Sequence, residues 1–440
     1  MTVHPGNPVE REGESLGFVA SCIRLATQLR RAGQLEASEN ALRLALAYTP
    51  DHLEALIRMA HLLYGQGRHE EADAGVDRII AFERDDILPQ LNEELLLATI
   101  DLVELLRAQR HNTQADAVIE KIIALEPENR IMHRQFGMLL LRCGEFKHGW
   151  REWDKRIVPF RQPTWDGGPL AGKTILVQAL HGFGDAIQFV RFLPLVKARG
   201  ARVILEHQPA LATLLQGADG WDTLVARHTE REVLEMDFDL HIPLMRLPAP
   251  LEIEDRIPAT VPYLRPDPER VQRWRNRLAA DQGCKVGLVW AGNPHFAGDR
   301  LRSCRLADYA WLARLPQVRF YSLQKGPATE QIASAGRKMG LTDLGPDLHD
   351  FADTAAAIMN LDLVISVDTA VAHLAGALGR PVWTLLPFHA CWRWMEERED
   401  TPWYPTMRLF RQCGRGDWAN VLRRLIGELD AFGKRMKYEG

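Results

Sequence analysis

Residues 362–386 read DLVISVDTAVAHLAGALGRPVWTLL. DLVISV (362–367) is a short apolar run rich in β-branched residues. TAVAHLAGALG follows with helix-forming alanines and leucines up to Gly379, and PVWTLL is a second β-branched run. The pattern predicts strand, helix and parallel strand, with the helix entered directly at the carboxyl end of the first strand.

The same alternation extends to both sides. Before this stretch, strands are expected at TILVQAL (174–180), RVILEH (202–207), DTLVA, FDLHIPL, KVGLVWA (285–291) and RFYSLQ. Helical segments separate them: about 185–199, PALATLLQ, LADYAWLARL, ATEQIASAGRKM and DFADTAAAIMNL. A last helix is expected at DWANVLRRLIGEL. RIPATVPYLRPDPER is proline-rich and irregular, and a domain junction is expected beyond it, near Gly283. Two successive α/β units imply two Rossmann-like halves facing across a cleft, and ligands in such sheets bind outside the strands' carboxyl ends.

Residues 18–156 carry almost no strand signal. Helical segments break at RAGQ, YGQGR, AQRHN and RCGE. Gly33 and Gly67 are 34 residues apart, as are Arg110 and Gly144, and this is the helix-turn-helix period of tetratricopeptide repeats. Small residues fall where paired helices must approach: Ala26, Ala60, Gly137, Ala72 and Ala115. The phase slips by about nine residues near RDDILPQLN, so two repeats, a longer connection and two further repeats are expected. The division is therefore a flexible N-terminus over 1–16, the repeat array over 17–156, a linker over 157–173, a first α/β domain over 174–283 and a second over 284–440. A generic helical bundle is the alternative for the array.

Composition limits the function. Lys and Arg total 54 against 58 Asp and Glu, a net charge of -4, so no basic field marks a nucleic-acid binder. The six cysteines (22, 143, 284, 304, 391 and 413) form no C-x-x-C pair, which argues against zinc ribbons and redox dithiols and suits a reducing compartment. The N-terminus lacks the apolar core of a signal peptide, and no run reaches the ~18 apolar residues of a membrane span. A cytoplasmic protein is expected.

The strand ends carry the candidate site. After the first strand comes His181-Gly182-Phe183-Gly184-Asp185. A dinucleotide fingerprint would place its third glycine at Ile187, and a carboxylate at the helix start competes with a diphosphate for the same amides. The paired glycines are expected to turn the backbone and expose Asp185, either as a proton acceptor or simply as a helix cap.

After DLVISV, Asp368-Thr369-Ala370-Val371-Ala372-His373 opens a helix with short side chains, a ready anion site. His373 shares a helix face with Thr369 and Ala370 and can reach a phosphate; Asp368 can anchor sugar hydroxyls. A capping aspartate and a core histidine are the plainer readings. Gln324 and Lys325 end the RFYSLQ strand, and the lysine can neutralise a phosphate. Arg300, Arg302 and Arg305 form a cationic loop suited to a diphosphate, or a solvated one. Asp237-Phe238-Asp239 resembles a metal-holding D-x-D but opens a strand, and Trp392-Arg393-Trp394 and Trp403-Tyr404 can stack on a base or pack.

GFGDAIQFVRFLPL, VGLVWAGNP, FYSLQKG, LGPDLHDFADTAAAI, DLVISVDTAVAHLAGALGRPVW and PWYPTMRLFRQ together resemble the bacterial tetratricopeptide-repeat glycosyltransferases. These are related to the lipopolysaccharide heptosyltransferases of glycosyltransferase family 9, and the resemblance spans roughly 160–430. The O-linked N-acetylglucosamine transferase is a more distant architectural parallel.

The resemblance implies a GT-B fold, a nucleotide-sugar donor in the C-terminal half, inversion at the anomeric carbon and no metal or other cofactor. It implies Asp185 as general base, with Gly182 and Gly184 as its loop glycines. It also implies Arg302, Gln324, Lys325, Asp368, Thr369, Ala370 and His373 on the donor side. Arg302 stands where heptosyltransferases place a lysine, Ala370 where they usually have glycine, and His181 departs from their usual polar residue.

The expected activity is transfer of a hexosyl, N-acetylhexosaminyl or heptosyl group to a glycan, lipid-linked or protein hydroxyl. Protein partners or self-association are expected through the repeats. An inactive repeat adaptor is the competing reading, and a nicotinamide enzyme is disfavoured by the broken fingerprint.

Overall fold

A computed structural model describes residues 8–81, 92–125, 129–153, 160–227, 236–254, 257–296, 298–396 and 398–439. The chain divides into two compact units, Met1–Lys155 and Arg156–Gly440. Among the described residues no helix is long and apolar enough to cross a membrane.

The first unit contains four helix pairs: α1 (Pro8–Arg31) with α2 (Leu35–Tyr48), α3 (Leu53–Gly65) with α4 (His69–Ala81), α5 (Glu93–Ala108) with α6 (Asn112–Leu125), and α7 (Arg130–Cys143) with α8 (Phe146–Trp153). Gly33, Gly67, Arg110 and Gly144, the residues that mark the period, close the first helix of each pair. All four have left-handed backbone, with φ of 74°, 76°, 66° and 87°. A chain that must reverse after a helix needs this conformation, which glycine adopts without steric cost. His52, Asn92 and Asn129 cap α3, α5 and α7 by accepting the N–H three residues on. Ala26, Ala60, Ala72 and Ala115 are buried between helices. A Cβ on Gly137 would lie 2.6 Å from the Trp153 backbone nitrogen, so α7 and α8 touch backbone to backbone there.

Two expectations change. Helix α1 begins at Pro8, inside the segment read as a flexible N-terminus over 1–16; proline is favoured at a first helical position, where its missing N–H costs nothing. The slip at RDDILPQLN (84–92) lies outside the described residues except for Asn92, the cap of α5.

The second unit holds two parallel sheets. The first contains β1 (Thr174–Gln178), β2 (Arg202–His207), β3 (Thr223–Ala226) and β4 (Leu240–Pro243) in the order β3-β2-β1-β4. Helices α9 (Phe183–Phe189), α10 (Leu193–Ala198) and α11 (Ala212–Leu215) fall between these strands, and α12 (Pro268–Leu278) leads to the second sheet.

That sheet contains β5 (Cys284–Val289), β6 (Val318–Ser322), β7 (Thr342–Asp343), β8 (Leu363–Val367), β9 (Val382–Leu386) and β10 (Met407–Arg411). Its helices are α13 (Asp299–Arg302), α14 (Ala335–Met339), α15 (Phe351–Ile358), α16 (Ala370–Ala377) and α17 (Trp418–Glu439). Its order, β10-β9-β8-β5-β6-β7, is the doubly wound order that reverses between its first and fourth strands. The ligand crevice of such a sheet opens between β5 and β8, directly over the DTAVAH loop. The segments LADYAWLARL and ATEQIA form 3-10 turns rather than α-helices, and the edge strands β7 and β10 are additional to those expected.

The boundary near Gly283 also moves. Arg270 on α12 donates to Asp350 at 2.9 Å and Asp353 at 2.7 Å, tying α12 to the start of α15. The helix therefore packs on the second sheet's side, and the chain crosses between the halves before Pro268.

The halves meet along a seam. Buried Arg191, just after α9, donates to the carbonyls of Pro258 (3.1 Å) and Trp403 (2.7 Å) and to the Tyr263 hydroxyl (2.8 Å). Phe189 packs against Trp392 and Trp403 across the same seam.

Candidate active site between the two sheets

The loop after β1 carries two glycines, and only the second answers a close contact. Gly182 is the N-cap of α9 with φ of −65°, which any residue can adopt. Gly184 lies in the helix, and a Cβ there would sit 2.8 Å from His373 Cδ2 and 3.5 Å from Ala370 Cα. Its glycine therefore serves close contact between α9 and α16 rather than turning the chain. Phe183 meets Phe351 at 5.0 Å between ring centres, so the starts of α9 and α15 adjoin.

Asp185 is the third residue of α9. One carboxylate oxygen accepts the Gly182 N–H at 3.0 Å, and the other accepts from Arg393 of the opposite half. About a quarter of its side chain remains exposed to the crevice. The residue thus caps α9 while its carboxylate stays partly exposed, as a proton acceptor would have to be.

Arg393 is the residue sequence reading passed over, quoted only as the middle of an aromatic cluster. It is buried, and its Nε donates to Gln188 at 2.6 Å while its Nη1 faces the Cys391 sulfur at 3.0 Å. Burial alone disfavours its charge, but Asp185, Cys391 and Asp368 outweigh that and hold it firmly protonated. The available signal was chemical: an arginine in a run of tryptophans destined for the core needs an anionic partner. The rings themselves pack, since Trp392, Trp394, Trp403 and Tyr404 are all buried.

At the end of β8, Thr369 is the N-cap of α16, yet its hydroxyl pairs with Ser366 Oγ at 2.9 Å and makes no cap bond. Arg302, from α13, donates to the Asp368 carbonyl at 2.7 Å and to Asp299 at 3.0 Å. Gly292 lets it pass, because a Cβ there would lie 2.6 Å from the guanidinium. Burial raises the Asp368 carboxyl above the usual range, against the pull of Trp394, Arg302 and Arg393.

His373 is buried, with Nδ1 2.9 Å from the Tyr404 hydroxyl and its ring stacked on Trp394. Burial, then Arg393, Arg191 and Arg302, lowers its pKa well below the ordinary histidine value, so the ring is neutral at pH 7. It is thus a core histidine, with Nε2 3.9 Å from Asp368.

Two expectations are corrected here. Gln324, expected on the nucleotide, is buried with its amide committed to backbone. It accepts from Trp290 and Ala291 N–H, both at 3.0 Å, and donates to the Ala291 and Lys325 carbonyls. It braces the β5 and β6 loops together. The three loop arginines also separate. Arg302 turns to the crevice, whereas Arg300 and Arg305 line another cleft of about 1040 Å³ beside α17, where Arg305 pairs with Asp308.

Lys325 stands at the β6 end, its ammonium donating to the Gly345 and Leu348 carbonyls at 2.9 and 3.0 Å. Ala370 opens α16 against Gly184, as its short side chain requires.

The D-x-D at 237–239 is structural: Asp239 accepts the Thr174 N–H at 2.7 Å and fixes the start of β1. Among the described residues, one trio has metal-ligand spacing: Asp116, Glu145 and His148 of the helical array. Arg107 already bridges its two carboxylates, at 2.5 and 2.8 Å.

Two family models match within the chain. Residues 29–91 match the tetratricopeptide repeat, and residues 317–395 match glycosyltransferase family 9 (heptosyltransferase). The curated Protein FlbA of Caulobacter vibrioides is 30% identical over 328 residues, 67% of this chain and 54% of that protein. The chain thus spans about half the length of that relative.

Among solved structures, the Escherichia coli ADP-heptose lipopolysaccharide heptosyltransferase II is 13% identical, with a TM-score of 0.43, over 60% of this chain and 99% of its own. The Thermobaculum terrenum O-GlcNAc transferase is 15% identical, with a TM-score of 0.29, over 99% of this chain and 94% of its own. The tetratricopeptide-repeat match thus falls mostly on the helical array and the glycosyltransferase family 9 match on the second sheet.

Proposed function

We propose that this chain, a tetratricopeptide-repeat protein with a glycosyltransferase family 9 domain, transfers a sugar from a nucleotide-sugar donor to an acceptor hydroxyl with inversion and without a metal. The observation that carries the reading is the meeting of a partly exposed carboxylate from the first sheet, Asp185, with the uncapped start of α16 from the second.

The donor's diphosphate would lie against the first amides of α16, with Arg302 and Lys325 as its cations. Asp368 and the neutral ring of His373 would orient the sugar. Asp185 would take the acceptor's proton as its oxygen attacks the anomeric carbon from the face opposite the leaving diphosphate. The cations then stabilise the charge that builds on that diphosphate.

The sugar is a hexosyl, N-acetylhexosaminyl or heptosyl group, and the acceptor is a glycan, a lipid-linked sugar or a protein. The repeats would present the acceptor or a protein partner, since stacked repeats form a concave docking surface. The compartment is the cytoplasm. The second reading, an inactive adaptor, gains support only from the array.

The test is release of nucleoside diphosphate from a panel of ADP-, UDP- and GDP-sugars, with and without candidate acceptors. Acceptor-dependent release supports transfer; no release from any donor, with folded protein, favours the adaptor.

A further inference from the structure

Arg393 lies between the two carboxylates of the crevice. Its Nη2 donates to Asp185 of the first half, and Asp368 of the second half also acts on its charge. The side chain is held on an aromatic bed, 4.3 Å over Trp392 and 5.9 Å from Phe189, with Gln188 and Cys391 as its remaining partners. Asp185 is therefore occupied on both oxygens, by Gly182 N–H and by Arg393. An acceptor hydroxyl would have to displace one of these two hydrogen bonds to reach the carboxylate. Meanwhile the start of α16 has no side-chain cap, and Arg302 is fixed at its edge on the Asp368 carbonyl.

We propose that Arg393 changes partner during turnover: it pairs with Asp185 in the free protein and with the donor's diphosphate once the nucleotide-sugar binds, so that the base is released only when the donor is in place. This rests on reading Asp185 as the general base.

A diphosphate at α16 carries more negative charge than one carboxylate, and it outcompetes Asp185 for a cation that is already desolvated. In the step that follows, the acceptor oxygen bonds to the anomeric carbon, and the bond from that carbon to the phosphate oxygen breaks with its electron pair going to the diphosphate. The acceptor's proton passes to Asp185, and Arg393 remains charged beside the departing nucleotide. Without donor, Asp185 stays masked.

The exchange has a signature that a structural arginine lacks. An aspartate that gives up a guanidinium and gains a phosphate neighbour holds its proton more tightly. Nucleotide binding must then draw a proton onto Asp185 in the acid range.

The experiment is calorimetric titration of ADP, UDP and GDP into the full-length protein, in two buffers of different ionisation enthalpy, from about pH 5 to pH 7. The wild type is expected to take up more protons per nucleotide than Asp185→Asn, which retains only the titration of the phosphate. Arg393→Gln is expected to abolish that excess, and Arg393→Lys to keep part of it. Equal uptake by wild type and Asp185→Asn at every pH overturns the exchange, and because neither protein alters Arg393 the result does not depend on the folding of the arginine variants. Failure of the base reading shows separately, as parental turnover by Asp185→Asn.

Discussion

The loops after β1 and β8 look alike in sequence: an apolar strand, small residues, an aspartate and a helix. Their structures differ in where the aspartate stands. Asp185 is inside α9 and turns back to hold the Gly182 N–H, so the first helix start is filled by its own carboxylate. Asp368 precedes the N-cap of α16, and Thr369 turns to Ser366 instead of capping, so the second start carries no cap bond from its N-cap side chain. On the proposed reading, this shift of a few residues is what separates the acid–base side from the anion side. Helix starts attract negative charge in both cases; what differs is whether the chain supplies it.

The comparison breaks most visibly at Asp185. Asp185→Asn retains size and one hydrogen bond to Gly182, so a base role predicts a turnover loss of about 10²–10⁴-fold. Nucleotide affinity should not weaken, whereas loss of the anionic partner of buried Arg393 should lower the melting temperature, so turnover is compared on folded protein. Steady-state kinetics beside a thermal melt checks this, and parental turnover would reduce Asp185 to a cap.

Next in size is the anion side. Lys325→Ala removes a charge-assisted contact worth about 1.5–3 kcal/mol, or roughly 10–100-fold in nucleotide affinity. Its ammonium otherwise holds only two loop carbonyls, so stability should change little. Titration calorimetry with ADP, UDP and GDP measures the loss.

The two glycines sharpen the contrast between turning and packing. Gly184→Ala forces a methyl against the His373 ring and should cost about 1–3 kcal/mol by denaturant titration. Gly182→Ala meets only the Asp185 carboxylate, at 3.5 Å, and should fall within about 0.5 kcal/mol of parental. Equal costs would mean that α9 and α16 do not meet as closely as described.

The smallest expected effect is a pH dependence. His373 is held neutral by burial, with its folded pKa below its unfolded one, so between those values the unfolded chain binds the extra proton. Stability should fall as pH drops below about 6.5, toward the lower folded value. Asp368, raised by burial, binds its proton more tightly when folded and opposes the trend at lower pH. His373→Gln should flatten the fall that begins near pH 6.5, as read by melting temperature against pH. An unchanged slope would mean that the histidine is not desolvated.

Legibility followed the kind of signal. The helix-turn-helix period was readable because Gly33, Gly67, Arg110 and Gly144 answer a local backbone demand, the left-handed residue after a helix. Strands β5, β8 and β9 were readable from unbroken apolar runs, whereas edge strand β7 is two residues long and carries no period. Asp185 and the 368–373 loop were visible because strand ends locate a crevice. Arg393 was not, because its partner lies 208 residues away and only folding brings the two together. Gln324 misled for a related reason: a polar residue at a strand end serves a ligand or the loop beside it, and four short hydrogen bonds to backbone decide for the loop.

The central claim is that one half holds the nucleotide and the other supplies the base. Nucleoside-diphosphate affinity, measured in parallel on the wild type, Lys325→Ala and Asp185→Asn, tests it most directly. The account predicts saturable binding of at least one of ADP, UDP and GDP, weakened about 10-fold or more by Lys325→Ala and not weakened by Asp185→Asn. No binding of any of the three to folded wild type, or equal affinity in wild type and Lys325→Ala, would contradict it.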